Sequence, residues 1–164
     1  MRIGHSMDIH QLGPGNGLII GGITIPSEYK SIGHSDADAL LHSIAEAIMG
    51  ALAIGDLGTL FPDTDPKYKG IDSSILLKKV VEIMKDRGYV ISNIDSTVYL
   101  EKPKLRPFID SIRLNIAKLL EISSNDVSVK ATTSEKRGIV GRGEVIACET
   151  VLLIDKKMYL RKLR

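Results

Sequence analysis

Three residues stand at spacings that suit a metal centre: Asp8, His10 two positions on, and His42 near the head of an apolar-periodic stretch. Residues 2–10 alternate in character. As a strand they put Arg2, Gly4, Ser6, Asp8 and His10 on one face and Ile3, His5, Met7 and Ile9 on the other. Asp8 and His10 then project together, and a helical His42 offers a rigidly mounted imidazole. One carboxylate oxygen and two ring nitrogens form a donor set that zinc takes in catalytic sites, with a fourth position left open. A 2-His-1-carboxylate iron site has the same composition. The plainer reading, two surface strand residues and a capped core histidine, fits the same spacing.

The element that must hold His42 runs from Gly33-His34-Ser35-Asp36-Ala37-Asp38 into Leu40, Leu41, Ile44, Ala45, Ile48, Met49 and Leu52, one wide apolar stripe. Ser35 with Asp38 three residues on has the form of a capping box. Asp38 and His42, one turn apart, are expected to share a face, with the carboxylate steering the ring. His5, on the opposite strand face from Asp8, is expected to be a core or structural histidine.

Around these, Gly13-Pro14-Gly15-Asn16-Gly17 is a turn cluster, and Leu18 to Ile25 reads as one returning strand. Residues 27–33 are polar and without period. Residues 55–72 form a long connection, with Asp63-Thr64-Asp65 as an acidic turn. A helix follows Ser73 and stops at Gly88, Tyr89 to Leu100 is a strand, and Pro103 breaks it. Pro107 suits the first position of a helix over Phe108 to Leu120. Val127 to Thr132 and Glu144 to Ile154 are the last strands. The order ββααβαββ, without internal repeat or linker, predicts one α/β (α+β) domain over residues 1–164, with a mixed β-sheet covered by helices.

A second constellation follows Lys130: Ala131, Thr132, Thr133, Ser134, Glu135, Lys136 and Arg137, then glycines at 138, 141 and 143. Hydroxyls, backbone N–H groups and a carboxylate for a hard cation make a phosphate cradle. The plainer reading is a polar hairpin loop. Lys102-Pro103-Lys104 offers further cations.

Composition removes several classes. The net charge of +2 argues against nucleic acid, and the absence of Trp leaves few stacking anchors. A single cysteine, Cys148, forbids an internal disulfide and reads as a buried, inert thiol. No apolar run approaches a membrane span. Patterned sequence from Arg2 leaves no room for a signal peptide, so a soluble cytoplasmic protein is expected. The basic stretch from Lys156 to Arg164 reads as a solvated tail.

The chain resembles the 2-C-methyl-D-erythritol 2,4-cyclodiphosphate synthases of the non-mevalonate isoprenoid pathway. The resemblance rests on RIGHSMDIH at 2–10, GHSDAD at 33–38 with His42, GDLG at 55–58 and FPDTDP at 61–66. NID at 93–95, PKL at 103–105, VKATTSE at 129–135 and GRGE at 141–144 complete it. It implies a homotrimer with active sites between subunits and a cytidine diphosphate ester as substrate. Asp8, His10 and His42 then fall on zinc ligands, and Glu135 on the carboxylate that helps hold magnesium or manganese at the diphosphate. His34 and Thr133 fall on transition-state stabilisers, Ser35 beside the substrate, and Asp56 on the polyol hydroxyls. Leu57, Gly58, Phe61, Pro62, Asp63, Thr64 and Asp65 extend that contact. Leu100, Glu101, Lys102, Pro103, Lys104, Leu105 and Arg106, with Thr132, Thr133 and Ser134, match the nucleotide pocket of an adjoining subunit. Ile139 and Arg142 match residues near the trimer's central cavity. Ser6, Met7 and Ile139 depart from the usual glycine, aromatic and phenylalanine. A zinc hydrolase and a non-catalytic, trimeric nucleotide-binding regulator are the rival readings, separable by their products.

Overall fold

Strand β1 (Arg2–Pro14) runs past the alternation seen at residues 2–10 and into the turn cluster. The computed structural model describes residues 1–62 and 64–157. The expected contact at Asp63 and the basic tail from 158 to 164 lie outside them.

Residues 18–25 form two strands, β2 (Leu18–Ile20) and β3 (Ile23–Ile25), paired as a hairpin. Gly21 and Gly22 make its turn, with φ of +61° and +74° that a side chain disfavours. The polar stretch after it is also a strand, β4 (Tyr29–Ile32), which pairs antiparallel with the end of β1. Helix α1 (Ala39–Leu52) follows, then the short α2 (Leu57–Leu60), a single 3-10 turn (Pro66–Tyr68) and α3 (Ser73–Asp86). The long connection therefore holds two helical turns that its sequence, lacking period, does not announce. Strand β5 (Tyr89–Tyr99), α4 (Ile109–Leu120), β6 (Val127–Thr132), α5 (Gly138–Gly141) and β7 (Val145–Lys156) complete the chain.

The main sheet has the order β4-β1-β7-β5-β6, with β5 and β6 parallel and the other pairs antiparallel. It is mixed, as expected. Because β7 lies between β1 and β5, residues 133–144 are not a hairpin loop; they carry the chain across the sheet and include α5.

Helix α1 lies on the inner face of β1 and β7. Leu40, Leu41, Ile44, Ile48 and Met49 are at most 1% exposed. Burying five such side chains contributes on the order of 10 kcal/mol before conformational entropy is subtracted. Beneath them, Thr150 of β7 holds Ser43 of α1 at 2.8 Å and Ser96 of β5 at 2.9 Å, so the buried hydroxyls satisfy one another.

The start of α1 differs from the capping-box expectation. Asp38 itself is the cap: its carboxylate accepts from Leu40 N (3.1 Å) and Leu41 N (3.0 Å). It also accepts from Gly21 N (3.0 Å) and Gly22 N (2.6 Å), tying the β2–β3 turn to the helix. Burial pushes its carboxyl up to about 6, and the N–H donors of Gly22, Leu41 and Gly21 limit that rise. With both oxygens engaged this way, Asp38 does not steer His42.

The other face of β1 and β7 is open. Ile3, Met7, Ile9 and Val151 are 67%, 53%, 46% and 39% exposed. His5 belongs to this face and is not a core residue; its Nε2 lies 2.9 Å from Glu149 Oε1. Cys148 is fully buried, as expected, and burial pushes its thiol well above the ordinary range.

Candidate active site

Strand β1 aims Asp8 and His10 at α1, and the first turn of α1 returns His42 to them. Asp8 Oδ2 lies 2.8 Å from His10 Nε2 and 3.2 Å from His42 Nδ1, and those two nitrogens are 3.1 Å apart. The other nitrogen of His10, Nδ1, is 3.3 Å from the Ile32 carbonyl on β4. A carbonyl only accepts, so Nδ1 carries the hydrogen and Nε2 turns its lone pair inward. A lone pair facing a carboxylate oxygen at this distance is repulsive unless positive charge, a proton on Nε2 or a metal ion, stands between them. The donors suit a metal cation: one atom from each residue, all within 4.8 Å of one another.

The electrostatics agree. Burial raises the Asp8 carboxyl, but hydrogen bonds with the His10 and His42 rings outweigh it and hold Asp8 well below the usual carboxylate range. Burial lowers the His10 imidazole, and the hydrogen bond and charge of Asp8 reverse that into a net rise. Asp8 is therefore an ionised donor at neutral pH.

Ser35 is not a helix cap. Its hydroxyl accepts from Ala37 N (3.1 Å) and sits 3.0 Å from His42 Nε2. Around the centre opens a cavity of about 240 Å³, lined also by His34 and, from the long connection, by Leu57 and Phe61. Glu46, Tyr68, Ile71 and Leu76 line it as well, and the sequence reading missed all four. Glu46 was findable, being one turn beyond His42 on the same helix face. Its Oε1 accepts from Leu57 N at 3.0 Å, and burial raises its carboxyl. Tyr68 meets Phe61 edge-on at 5.4 Å between ring centroids.

Asp56 caps α2 through Thr59 N (2.8 Å) and Thr59 Oγ1 (2.8 Å), with the carboxylate exposed toward solvent. Gly58 belongs to α2, and Pro62 and Thr64 flank the undescribed Asp63. Asp65 caps the 3-10 turn through Lys67 N (3.1 Å) and pairs with Lys67 Nζ (2.9 Å).

The second group of predicted residues assembles elsewhere, at the C-terminal ends of the parallel pair β5 and β6. Tyr99 is registered on Thr132, and Leu100 N donates to Thr132 O at 3.0 Å. Pairing thus joins two segments far apart in sequence, at the strand ends where ligands commonly settle. A cleft there is lined by Leu100, Glu101, Pro103, Lys104, Leu105, Arg106, Thr132 and Thr133. Leu100 and Leu105 are its buried members. Glu101 is occupied with the backbone: its Oε1 accepts from Ser134 N (2.9 Å) and Lys136 N (3.2 Å). Thr133 Oγ1 donates to Glu135 Oε1 at 3.1 Å, and Glu135 and Lys136 have φ of +53° and +60°. Lys102 and Arg142 line a neighbouring cleft, Arg142 Nε lies 2.6 Å from Glu144 Oε1, and Ile139 is 44% exposed on α5.

The two clefts share no lining residue. A row across the sheet, Ile9–Ala147–Tyr99–Thr132, separates them by three interstrand steps, about 14 Å at ordinary strand spacing. Among the described residues no helix is long and apolar enough to cross a membrane.

Comparison with known proteins identifies the family. The family model described as the YgbB family matches residues 1–155. Proteins of Bacillus mycoides (strain KBAB4) and Bacillus cereus (strain AH187), each named 2-C-methyl-D-erythritol 2,4-cyclodiphosphate synthase, are 53% identical over 156 residues, 95% of this chain and 99% of theirs. Among solved structures, the bifunctional IspDF from Campylobacter jejuni superposes with a TM-score of 0.91 at 37% identity, over 94% of this chain but only 42% of that one. The Plasmodium falciparum IspF CDP complex superposes with a TM-score of 0.84 at 34% identity, over 95% of this chain and 96% of that one. A family model that spans the residues of both clefts, with relatives 53% identical and covered to 99% of their length, places this chain in the YgbB family of 2-C-methyl-D-erythritol 2,4-cyclodiphosphate synthases, lyases of isoprenoid precursor synthesis.

Proposed function

We propose that the chain, as a single catalytic domain, converts 4-diphosphocytidyl-2-C-methyl-D-erythritol 2-phosphate into the 2,4-cyclodiphosphate and cytidine monophosphate. An oxygen of the 2-phosphate attacks the β-phosphorus, forming one P–O bond. The bond from that phosphorus to the oxygen bridging the α-phosphorus breaks, and this oxygen leaves with cytidine monophosphate. The observation that carries the reading is the convergence of Asp8, His10 and His42 beside His34 and Ser35 at the head of a cavity.

Two anionic groups must meet, so neutralisation and orientation are the main tasks. Asp8, His10 and His42 would hold a zinc ion, which would supply Lewis-acid polarisation of the β-phosphate, and Glu135 would help hold magnesium or manganese, which would neutralise the diphosphate. His34 and the Thr133 hydroxyl donate hydrogen bonds to the charge that grows on the phosphoryl oxygens. Ser35 lies beside the substrate, Asp56 accepts from the polyol hydroxyls, and Leu57, Gly58, Phe61, Pro62, Thr64 and Asp65 extend that wall. No side-chain nucleophile is needed, and buried Cys148 is not one.

The nucleotide belongs in the cleft of Leu100–Arg106 with Thr132, Thr133 and Ser134. Its roughly 14 Å separation from the metal centre within one chain, and the open apolar face carrying Ile3, Met7 and Ile9, support a homotrimer in which neighbours share each site. Ile139 and Arg142 then border the central cavity. The solved Plasmodium falciparum relative with CDP supports a cytidine nucleotide as the ligand. The cytoplasm, where a lone thiol stays reduced, is the fitting compartment.

A phosphorus NMR time course with the presumed substrate tests the reaction. Cytidine monophosphate with a cyclic diphosphate is the expected outcome. Hydrolysed open-chain products would make the chain a hydrolase, and no turnover would leave it a binding protein.

A further inference from the structure

We propose that Ser73 and Asp36 form a relay that fixes the tautomer of His42, making the first turn of α3 part of the metal centre. This rests on reading Asp8, His10 and His42 as ligands. Ser73 is 1% exposed, so its hydroxyl has no access to water. Its Oγ lies 2.8 Å from His42 Nε2 and is hydrogen-bonded to Asp36 Oδ1. The Ser73 backbone N donates to Asp36 Oδ2 at 3.1 Å, and Asp38 N donates to Asp36 Oδ1 at 3.3 Å.

A hydroxyl has one hydrogen and a carboxylate only accepts. The Ser73 hydrogen therefore goes to Asp36, and the Ser73 oxygen is left to accept from His42. Nε2 must carry the hydrogen. Nδ1, the nitrogen facing Asp8 Oδ2 at 3.2 Å, then keeps its lone pair for a cation.

Ser35 shows why the relay is needed. Its hydroxyl is 3.0 Å from the same Nε2 and 3.3 Å from Ser73 Oγ. With Ser73 in place, Ser35 can give its hydrogen to Ser73 Oγ. Without Ser73, that hydrogen turns to Nε2 and drives the ring proton onto Nδ1, which closes the coordinating lone pair. Nor is Ser73 simply capping α3. Asp72 does that, accepting from Ser74 N at 2.7 Å. The relay is latched from both sides by backbone bonds, Gly70 N to His34 O (2.7 Å) and Asp36 N to Ile71 O (3.0 Å).

The test uses the full chain labelled with ¹⁵N-histidine. Ring-nitrogen shifts of the metal-free protein report the His42 tautomer, and competition against a chromogenic chelator reports zinc affinity. In the parent chain the Nε2–H tautomer should dominate. Ser73→Ala should lose that preference and bind zinc about 10- to 100-fold more weakly, with an unchanged circular dichroism spectrum. Asp36→Asn, which keeps an acceptor, should lose less, and it carries the test if Ser73→Ala does not fold. Parent-like tautomer and zinc affinity in the folded variants would overturn the relay. A parent chain that shows the Nε2–H tautomer but binds no zinc would sink the metal reading and leave the relay standing.

Discussion

Gly4 of β1 and Ala47 of α1 are in such close contact that a Cβ placed on Gly4 would stand 1.9 Å from the Ala47 carbonyl oxygen. This approach sets the distance between strand and helix, and therefore between Asp8 and His42. Gly4→Ala should force the backbones apart. The expected cost is about 1–3 kcal/mol or more by urea denaturation, with reduced zinc content. A variant as stable as the parent and fully loaded would show that the contact does not control the site.

Removing His42 tests the donor set directly. His42→Ala leaves two protein ligands while the apolar stripe of α1 still packs, so the helix should persist and zinc occupancy should collapse. Elemental analysis giving about one zinc per chain in the variant, as in the parent, would contradict the assignment.

Asp38 is the acceptor for four backbone N–H groups, two in α1 and two in the β2–β3 turn. Asp38→Ala should strand buried donors and cost about 2–4 kcal/mol, since each unsatisfied group costs about 1–3 and local adjustment recovers part. Thermal unfolding checks this. A loss below about 0.5 kcal/mol would mean that the turn and helix find other partners.

Much of this site is legible in the sequence, and the limits are physical. Alternation along β1 gave the shared face of Asp8 and His10, and the α1 stripe gave the mount for His42, because strand and helix periods are local properties. Asp38 misled because a carboxylate one turn from a histidine has competitors: backbone donors from the β2–β3 turn, distant in sequence, claimed it. The Gly21-Gly22 pair is a readable hairpin signal, masked by the apolar run around it. Ser73 carried no signal, since a serine at a helix start reads as a cap, and only the packing of α3 against the residue 34–36 loop reveals its other partner.

Assembly can be probed on the open sheet face. Light scattering should give a mass near three times 17.9 kDa. Ile3→Asp, which changes an exposed side chain, should yield a folded monomer with activity reduced at least about 100-fold, as half of each site is lost. A monomer with parent turnover would end the shared-site proposal.

Two further substitutions separate catalysis from packing. Thr133→Ala removes a hydroxyl proposed to act in the transition state, so steady-state kinetics should show the loss mainly in kcat. Cys148→Ala should turn over within about twofold of the parent, its thiol being closed to solvent and substrate. A large KM effect in the first, or lost chemistry in a stable second, would redraw the mechanism.

Strand β1 is read from both sides at once. One set of its residues gives the metal donors and the other an apolar surface, and pairing with β7 from Arg2 to Gln11 fixes which is which. Inserting or deleting one residue ahead of Asp8 would exchange the sets, sending Ile9 inward and the ligands outward. The strand therefore tolerates changes of letter but not of length, whereas the Gly15–Gly17 turn just beyond it can absorb them. Length variation among functional relatives should begin only after the strand ends.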